Sequence, residues 1–211
     1  MRILIADDYG VVRLGLRDLL RGRAGWEVCG EAGNGIEAVE LARQLRPDLA
    51  ILDLAMPLLN GLEATRRIRR ELPETEVLLF TVYASEQLAV EALEAGARRY
   101  LLKSQSASEL VSAIESASWH ARGPARVPPR FGADSAPRAN SARKTGQALT
   151  ARECEIVHLI AEGKSNKEMA ELLGISVKTI ETHRAHLMQK LGFSSVVQLV
   201  HYAVRNHMVD A

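Results

Sequence analysis

The chain has 211 residues, of which 47% are apolar and 25% charged, as is usual for a globular protein. These proportions exclude a largely disordered, collagen-like or membrane-embedded chain. The longest apolar-leaning run, Val77 to Ala84, is far shorter than the roughly 20 residues of a membrane-spanning helix. The first apolar stretch, Ile3–Ala6, ends at two carboxylates, so no secretory signal is predicted and a cytoplasmic location is expected.

Charge is distributed unevenly along the chain, although the net charge is only +1. Residues 1–117 have a net charge of −4 and residues 118–148 have a net charge of +5. In residues 149–211 the positive and negative charges cancel. Cys29 and Cys154 are the only cysteines and lie far apart, so they predict neither a disulfide framework nor a zinc site. We expect both to be small buried or half-buried residues, in a chain of three segments.

Residues 1–117 alternate short apolar runs with amphipathic stretches. The runs predict strands at residues 3–6, 27–29, 49–52, 77–80 and 100–102. The amphipathic stretches predict helices at residues 11–20, 36–45, 62–72, 85–95 and 107–116, with capping boxes at Asn34–Glu37 and Ser106–Glu109. Nearly continuous apolar strands suit a sheet that is buried on both faces. Five βα units in succession therefore predict an α/β doubly wound domain with a five-stranded parallel sheet.

Residues 118–148 differ in composition from both of their neighbours. They contain four prolines together with glycine, alanine, serine and arginine, and they show little apolar periodicity. This predicts a flexible basic linker. Its positive charge is interpreted mainly as a solvated surface, with contact to DNA phosphates or to the acidic front domain as the alternative.

Residues 149–211 have a helical pattern throughout. Capping boxes at Thr150–Glu153 and Ser165–Glu168 begin helices that end before Gly163 and Gly174. Ser176 caps a longer helix to Leu191, and a last helix covers about residues 195–206. The sequence thus predicts a small all-α domain of four helices, in which residues 166–191 have helix-turn-helix proportions.

Polar side chains follow four of the predicted strands directly. Asp7 and Asp8 follow the first, while Asp53, Thr81 and Lys103 end the third, fourth and fifth. Sites in open parallel sheets form at the carboxyl ends of the strands, so we expect these groups to converge. Three adjacent carboxylates would repel one another, and Mg²⁺ relieves this repulsion. The set suits phosphoryl transfer, with Asp53 as the nucleophile and with Lys103 and Thr81 beside the phosphoryl oxygens.

The motifs around these groups make residues 1–117 resemble the receiver domain of a two-component response regulator, which has a flavodoxin-like fold. They are Ile5-Ala-Asp-Asp8, Leu52-Asp-Leu-Ala-Met-Pro57, Gly61-Leu-Glu63, Phe80-Thr81, Ala95-Gly-Ala97 and Tyr100-Leu-Leu-Lys103. Tyr9-Gly10 departs from the family pattern, because related chains often have His-Pro there, and Asn60 stands where Asp is common.

The receiver resemblance implies a role for each matching residue. Asp53 would accept phosphate from a sensor histidine kinase. Asp7, Asp8 and Asp53, with the backbone carbonyl of Ala55, would hold Mg²⁺. Thr81 and Tyr100 match the switch pair, in which the hydroxyl moves towards the phosphoryl group and the ring turns inward.

The second helix of the helix-turn-helix has two faces. Val177, Ile180, Leu187 and Leu191 are expected to pack inward. The opposite face is either a solvated surface or a face that enters the major groove, where Lys178 and Arg184 would meet phosphates or guanine, Glu181 cytosine, and Ala185 a thymine methyl. The full set of predicted DNA contacts is Lys178, Thr179, Glu181, Thr182, Arg184 and Ala185, with Lys164, Asn166 and Lys167 near the preceding turn.

Residues 149 to about 209 are similar to a LuxR-type helix-turn-helix domain. The matching motifs are Leu149-Thr-Ala-Arg-Glu153, Ala161-Glu-Gly-Lys-Ser-Asn-Lys-Glu168, Ile175-Ser-Val-Lys-Thr-Ile-Glu-Thr-His183 and Lys190-Leu-Gly192. A receiver followed by this domain is the arrangement of NarL/FixJ-type response regulators. The resemblance implies binding to promoter DNA, and it makes the last helix the candidate contact of a homodimer.

The sequence therefore predicts a phosphorylation-controlled transcription regulator and no enzyme acting on an external substrate. One alternative is a DNA-binding regulator whose receiver works without phosphorylation. Two weaker alternatives are an aspartyl-phosphate phosphohydrolase, which lacks a cap domain here, and a small-molecule-sensing quorum regulator, against which the acidic front domain argues. His158 and His201 are expected to be surface or packing residues rather than ligands. His183 and His186 either flank DNA or are solvated.

Overall fold

The computed structural model describes residues 1–118 and 149–205. Of the predicted linker only Ser118 lies in this part, and residues 206–211 lie outside it. The N-terminal domain alternates strands and helices, as predicted. Their bounds are β1 Arg2–Ala6, α1 Gly10–Arg21, β2 Glu27–Ala32, α2 Gly35–Leu45, β3 Leu49–Leu52, α3 Gly61–Glu71, β4 Glu76–Thr81, α4 Glu86–Glu94, β5 Arg99–Leu102 and α5 Ala107–Ser118.

The five strands form one parallel sheet in the order β2-β1-β3-β4-β5. This confirms the predicted doubly wound architecture, since the strand order is that of flavodoxin-like folds. Strand β2 is three residues longer than predicted, because its second half is defined by pairing with β1 (Gly30 with Leu4, Glu31 with Ile5) and not by apolar side chains. The ends of β1, β3, β4 and β5 that carry the polar residues lie side by side.

The predicted helix-capping signals are present at most of their positions. The Ser106–Glu109 pair forms both hydrogen bonds of a capping box. The Asn34 side chain accepts from the Glu37 N–H, but the Glu37 carboxylate accepts from Gly33 instead of Asn34, so this predicted box is only half formed.

The helical domain consists, in the described part, of α6 Ala151–Ala161, α7 Asn166–Leu173, α8 Val177–Leu191 and α9 Val196–Arg205. Both predicted capping boxes are formed, at Thr150 and at Ser165. Ile180 and Leu187 are fully buried, as expected for the inner face of α8. Val177 is 40% exposed, so the prediction that it packs inward was wrong; it is the first residue of the helix and lies at the turn.

The two domains share one hydrophobic cluster. It contains Leu54, Met56 and Tyr83 of the N-terminal domain and Cys154 and Leu159 of α6. Because α6 packs against loops that follow the strands, the helical domain lies over the edge of the sheet that carries the polar residues. Within residues 1–118 and 149–205, no helix is both long and apolar enough to cross a membrane.

Candidate functional site

Three carboxylates meet at the carboxyl ends of β1 and β3. Asp7, Asp8 and Asp53 each offer an oxygen that lies within 4.8 Å of the others. Asp7 and Asp53 are almost fully buried, at 1% and 5% exposure. Their backbone N–H groups prolong the ladders of the sheet, since Asp7 donates to the Ala32 carbonyl and Asp53 to the Ala6 carbonyl. The sheet therefore fixes the cluster from below.

A glycine allows the loop after Asp53 to close tightly. A Cβ atom on Gly61 would lie 2.1 Å from the backbone oxygen of Asp53, which no real side chain tolerates. The Gly61 N–H also donates to the Leu54 carbonyl at 2.8 Å. The start of α3 thus packs directly on the backbone of Asp53, and Ala55 lies in the loop between them, 6% exposed.

Lys103 and Thr81 complete the group at the neighbouring strands. The Lys103 Nζ lies 2.7 Å from Asp7 Oδ2 and 3.4 Å from Asp53 Oδ1. Its backbone N–H donates to the Thr81 carbonyl, which ties the two residues together. Thr81 is fully buried, and its hydroxyl oxygen accepts a 3.4 Å hydrogen bond from the Tyr83 N–H. The structure therefore brings the three carboxylates and Lys103 together, and it places Thr81 at the end of the adjacent strand, where its backbone carbonyl is bonded to Lys103.

The electrostatics of the cluster favour a cation. Burial, and secondarily the charges of Asp7 and Asp8, raise the pKa of Asp53 to about 7 against the opposing effect of Lys103. Burial also raises the pKa of Asp8. Burial alone would lower the pKa of Lys103, but Asp53 and Asp7 outweigh it and raise that pKa.

Two of the carboxylate oxygens are free of hydrogen bonds in the described residues and can therefore bind a metal ion. Asp8 Oδ1 and Asp53 Oδ1 are buried and have no hydrogen-bond partner within the described part of the chain. Lys103 Nζ lies 3.4 Å from Asp53 Oδ1 without a hydrogen bond, and buried polar atoms of native proteins are usually paired, so both oxygens have capacity to bind a cation. Oxygen donors of this kind are those that Mg²⁺ prefers, and the residues fit it.

The outer face of α8 is exposed along the whole predicted DNA-reading side. Lys178, Glu181, Thr182 and Ala185 are all exposed. Among the other predicted DNA contacts, Arg184 donates to the Asn166 side chain, Thr179 is half-buried beside Ser176, Lys167 is exposed, and Lys164 lines a cavity beside Asp8.

Comparisons with known proteins agree with both parts of this description. Residues 3–115 match the family described as response regulator receiver domain, and residues 147–203 match the bacterial regulatory proteins of the luxR family. The chain belongs to the NarL/FixJ-type response regulators. It is thus a receiver domain followed by a LuxR-type DNA-binding domain, in a family of two-component transcription regulators.

Full-length relatives show the same arrangement. The chain is 38% identical to the transcriptional regulatory protein LiaR of Bacillus subtilis over 213 residues, covering 100% of both chains. It is also 38% identical to the oxygen regulatory protein NreC of Staphylococcus carnosus over 219 residues, again covering 100% of both. A solved complex of the response regulator RcsB with DNA is 25% identical, with a TM-score of 0.68, covering 96% of this chain and 97% of that chain.

The aromatic residue of the predicted switch pair of this response regulator is buried and connected to α6. Tyr100 is 1% exposed, and burial raises the pKa of its hydroxyl well above the usual range. The Tyr100 hydroxyl donates to the Tyr83 carbonyl, and the Tyr83 hydroxyl donates to the Cys154 carbonyl on α6 at 3.4 Å. Two hydrogen bonds thus lead from the switch residue to the DNA-binding domain.

Sequence reasoning missed the contact between α6 and the carboxylate cluster. His158 of α6 is 6% exposed, and its Nε2 lies 3.2 Å from the Tyr9 hydroxyl and 3.7 Å from Asp8 Oδ2. Burial raises the pKa of Glu155 on α6, and Asn60 of the receiver domain is among the neighbours that oppose this rise. The expectation that His158 is a packing residue agrees with its burial, but its neighbours belong to the other domain. One signal was available in the sequence, since α6 is apolar on more than one face. In the structure, eight of its eleven residues are buried.

Proposed function

We propose that Asp53 is the phosphoacceptor of this response regulator, that a sensor histidine kinase is the donor, and that the phosphoryl group controls homodimerisation and promoter binding. The observation that supports this most strongly is the meeting of Asp7, Asp8 and Lys103 with the buried Asp53 carboxylate, with Thr81 at the end of the adjacent strand. Two oxygens of this set, Asp8 Oδ1 and Asp53 Oδ1, accept no hydrogen bond in the described part of the chain, although Lys103 Nζ lies 3.4 Å from Asp53 Oδ1, and both can serve as metal ligands.

In the proposed reaction an Asp53 oxygen attacks the phosphorus of the donor. The new O–P bond forms as the bond between phosphorus and the donor breaks, and the donor keeps that electron pair. Mg²⁺ held by Asp7, Asp8, Asp53 and the carbonyl of Ala55 would neutralise charge on the transferred group. Lys103 supplies a second positive charge, and it keeps Asp53 more ionised than burial alone would allow.

The product would act on the switch pair. A phosphoryl oxygen on Asp53 offers an acceptor to the Thr81 hydroxyl, whose oxygen now accepts from the Tyr83 N–H. Movement of Thr81 would disturb Tyr83, and with it the hydrogen bonds to Tyr100 and Cys154. This is a two-state element biased by one new anion.

The exposure of α8 supports control through dimerisation. The face with Lys178, Glu181 and Ala185 is already exposed while the domains are packed together, so phosphorylation need not uncover it. Val196 and Val197 of α9 are 41% and 62% exposed, which suits the proposed dimer contact on DNA. Two α8 helices would then read half-sites about 34 Å apart. The solved complex of the similar regulator RcsB with DNA supports the DNA-binding part of this proposal.

One observation favours a second candidate, a DNA-binding regulator whose receiver works without phosphate. Asp53 is only 5% exposed, with α6 packed over the edge of the sheet that carries it. A permanently closed arrangement would keep every donor from this carboxyl.

Intact mass measurement distinguishes the two candidates. The full chain is incubated with Mg²⁺ and acetyl phosphate, and the wild type is compared with Asp53→Asn. The matched control is Asp18→Asn, because the Asp18 carboxyl on α1 is 63% exposed. We expect one phosphoryl group on the wild type and the control, and none on Asp53→Asn. An unmodified wild type would support the second candidate, and phosphorylation of Asp53→Asn would overturn the site assignment.

A further inference from the structure

A second group of potential metal ligands lies at the interface of the two domains. It consists of Asp8 of the receiver domain and His158 and Glu162 of the DNA-binding domain, whose ligand atoms all lie within 4.8 Å of one another. His158 Nε2 lies 3.7 Å from Asp8 Oδ2 and 3.3 Å from Glu162 Oε1. Neither domain alone contains the complete set.

These separations fit one kind of ion. Tetrahedral Zn²⁺ binds histidine nitrogen and carboxylate oxygen at about 2.0–2.2 Å, which places neighbouring ligand atoms about 3.3–3.6 Å apart. The observed 3.3 Å matches this spacing, and the observed 3.7 Å is slightly longer. Octahedral Mg²⁺ binds its ligands at about 2.0–2.1 Å and at right angles, which places neighbouring ligand atoms about 2.9 Å apart, and these ligands are oxygens. The nitrogen donor and the spacing therefore favour zinc.

The surroundings also suit a bound ion. His158 and Glu162 are four residues apart on α6, so they lie on one face of the helix. The side chains of His158, Asp8 and Glu162 are 8%, 18% and 33% exposed, which leaves one open side. A cavity of about 210 Å³, lined by all three residues, provides space for water as the fourth ligand. The Tyr9 hydroxyl, 3.2 Å from His158 Nε2, could hydrogen-bond that water.

We propose that Asp8, His158 and Glu162 form a zinc site that ties α6 to the receiver domain. Asp8 also belongs to the carboxylate cluster with Asp7 and Asp53. Zinc would therefore hold the closed arrangement and occupy a carboxylate that phosphorylation needs. The binding site itself goes beyond the proposed function, and only this inhibitory consequence rests on it.

The test uses Co²⁺, which replaces zinc and absorbs visible light strongly only when tetrahedral. The full chain is titrated with CoCl₂ without Mg²⁺, because Mg²⁺ would compete for Asp8, and then with ZnCl₂ to displace the cobalt. We expect a tetrahedral spectrum for the wild type and for the control His201→Ala, whose histidine is exposed on α9. His158→Ala and Glu162→Gln should each weaken Co²⁺ binding by at least about tenfold, because substituting even a residue that only hydrogen-bonds a metal ligand typically costs this much affinity.

Two results would overturn the zinc site. One is a wild type without tetrahedral Co²⁺ absorption, which would leave His158 as an ion-pair partner of the carboxylates. The other is an equal spectrum and affinity in Glu162→Gln, a conservative change that remains informative if His158→Ala does not fold. Both variants are also incubated with acetyl phosphate and Mg²⁺, without Co²⁺ or Zn²⁺, and their intact mass is measured. This separates the zinc proposal from the proposed phosphorylation of Asp53. A variant that loses Co²⁺ but still takes a phosphoryl group supports both.

Discussion

The Tyr100 hydroxyl donates a hydrogen bond to the backbone carbonyl of Tyr83, 17 residues earlier in the chain. Through its own hydroxyl, Tyr83 then reaches the Cys154 carbonyl on α6. The inward position of Tyr100 and the docking of the DNA-binding domain are therefore features of one connected arrangement. A change at the receiver that moves Tyr83 must either stretch or break the contact with α6.

Tyr83→Phe tests this connection, since it removes only the hydroxyl that reaches α6. A typical hydrogen bond contributes about 0.5–1.5 kcal/mol, so the open arrangement should become roughly 2- to 10-fold more populated. Hydrogen exchange of the α6 amides, followed by mass spectrometry, should speed up by this factor. Unchanged protection of α6 would show that the hydroxyl does not hold the domains together.

Lys103→Met should destabilise the protein in the absence of metal. The substitution leaves Asp7 and Asp53 buried without their cation, and removal of one partner of a buried ion pair costs about 3 kcal/mol or more. Urea unfolding of the metal-free chain measures this loss. Lys167→Ala, at an exposed position of α7, is the control and should unfold like the wild type. Equal stability of both variants would contradict a structural role for the Lys103 pair.

Stabilisation by Mg²⁺ should increase with pH. The pKa of Asp53 is raised from its ordinary 3.8 to about 7. Between these two pH values the Asp53 carboxyl keeps its proton in the metal-free native state but has released it in the unfolded chain. The contribution of Asp53 to stability is thus present below pH 3.8 and lost as the pH rises through 7. Mg²⁺ competes with that proton, and its thermal shift should be larger at about pH 8 than at pH 6. Asp53→Asn should remove most of this difference, whereas a pH-independent shift in the wild type would contradict the raised pKa.

Gly61→Ala should damage the carboxylate cluster around Asp53, and Gly15→Ala should not. The new Cβ at position 61 would overlap the Asp53 carbonyl. A Cβ at position 15 would have no atom of the described residues within 4 Å, apart from its chain neighbours and the nearby backbone of its own helix. Overpacking costs about 1–3 kcal/mol, while alanine in the exposed interior of α1 should add about 0.5–1 kcal/mol. Thermal unfolding and Mg²⁺ titration of both variants measure the two effects. A Gly61→Ala variant with normal Mg²⁺ affinity would show that the loop relaxes without moving Asp53.

Lys178→Ala should weaken binding to promoter DNA. If Lys178 contacts a phosphate, the slope of log K against log salt concentration should fall by about 0.9. A loss of affinity with an unchanged slope would instead indicate contact with a base. Arg23→Ala, at an exposed position of the receiver domain, is the control for non-specific charge effects. Wild-type affinity and slope in Lys178→Ala would argue against α8 as the reading helix.

The sheet and its polar edge could be predicted because their determinants are local. Each buried strand is a short apolar run, and the residues that follow it, such as Asp53 and Lys103, must lie at its carboxyl end. The second half of β2 was missed because Gly30 and Glu31 join the sheet through backbone pairing, which leaves no apolar pattern.

The domain interface could not be predicted for the opposite reason. Tyr9 and His158 are 149 residues apart in sequence, and no periodicity of either segment specifies the other as its partner. The apolar surface of α6 indicates that the helix is buried on several sides, but not which surface covers it. Only the assembled domains show that His158 lies beside Asp8.

The burial of Asp53 beside the docked helix α6 also has a consequence for timing. If Asp53 is the phosphoacceptor and the docked α6 keeps donors from it, the rate of phosphorylation at high donor concentration would be limited by domain opening. Raising the donor level further would then bring no faster response. Bursts of donor shorter than the opening time would pass without being registered, and the protein would respond only to sustained input.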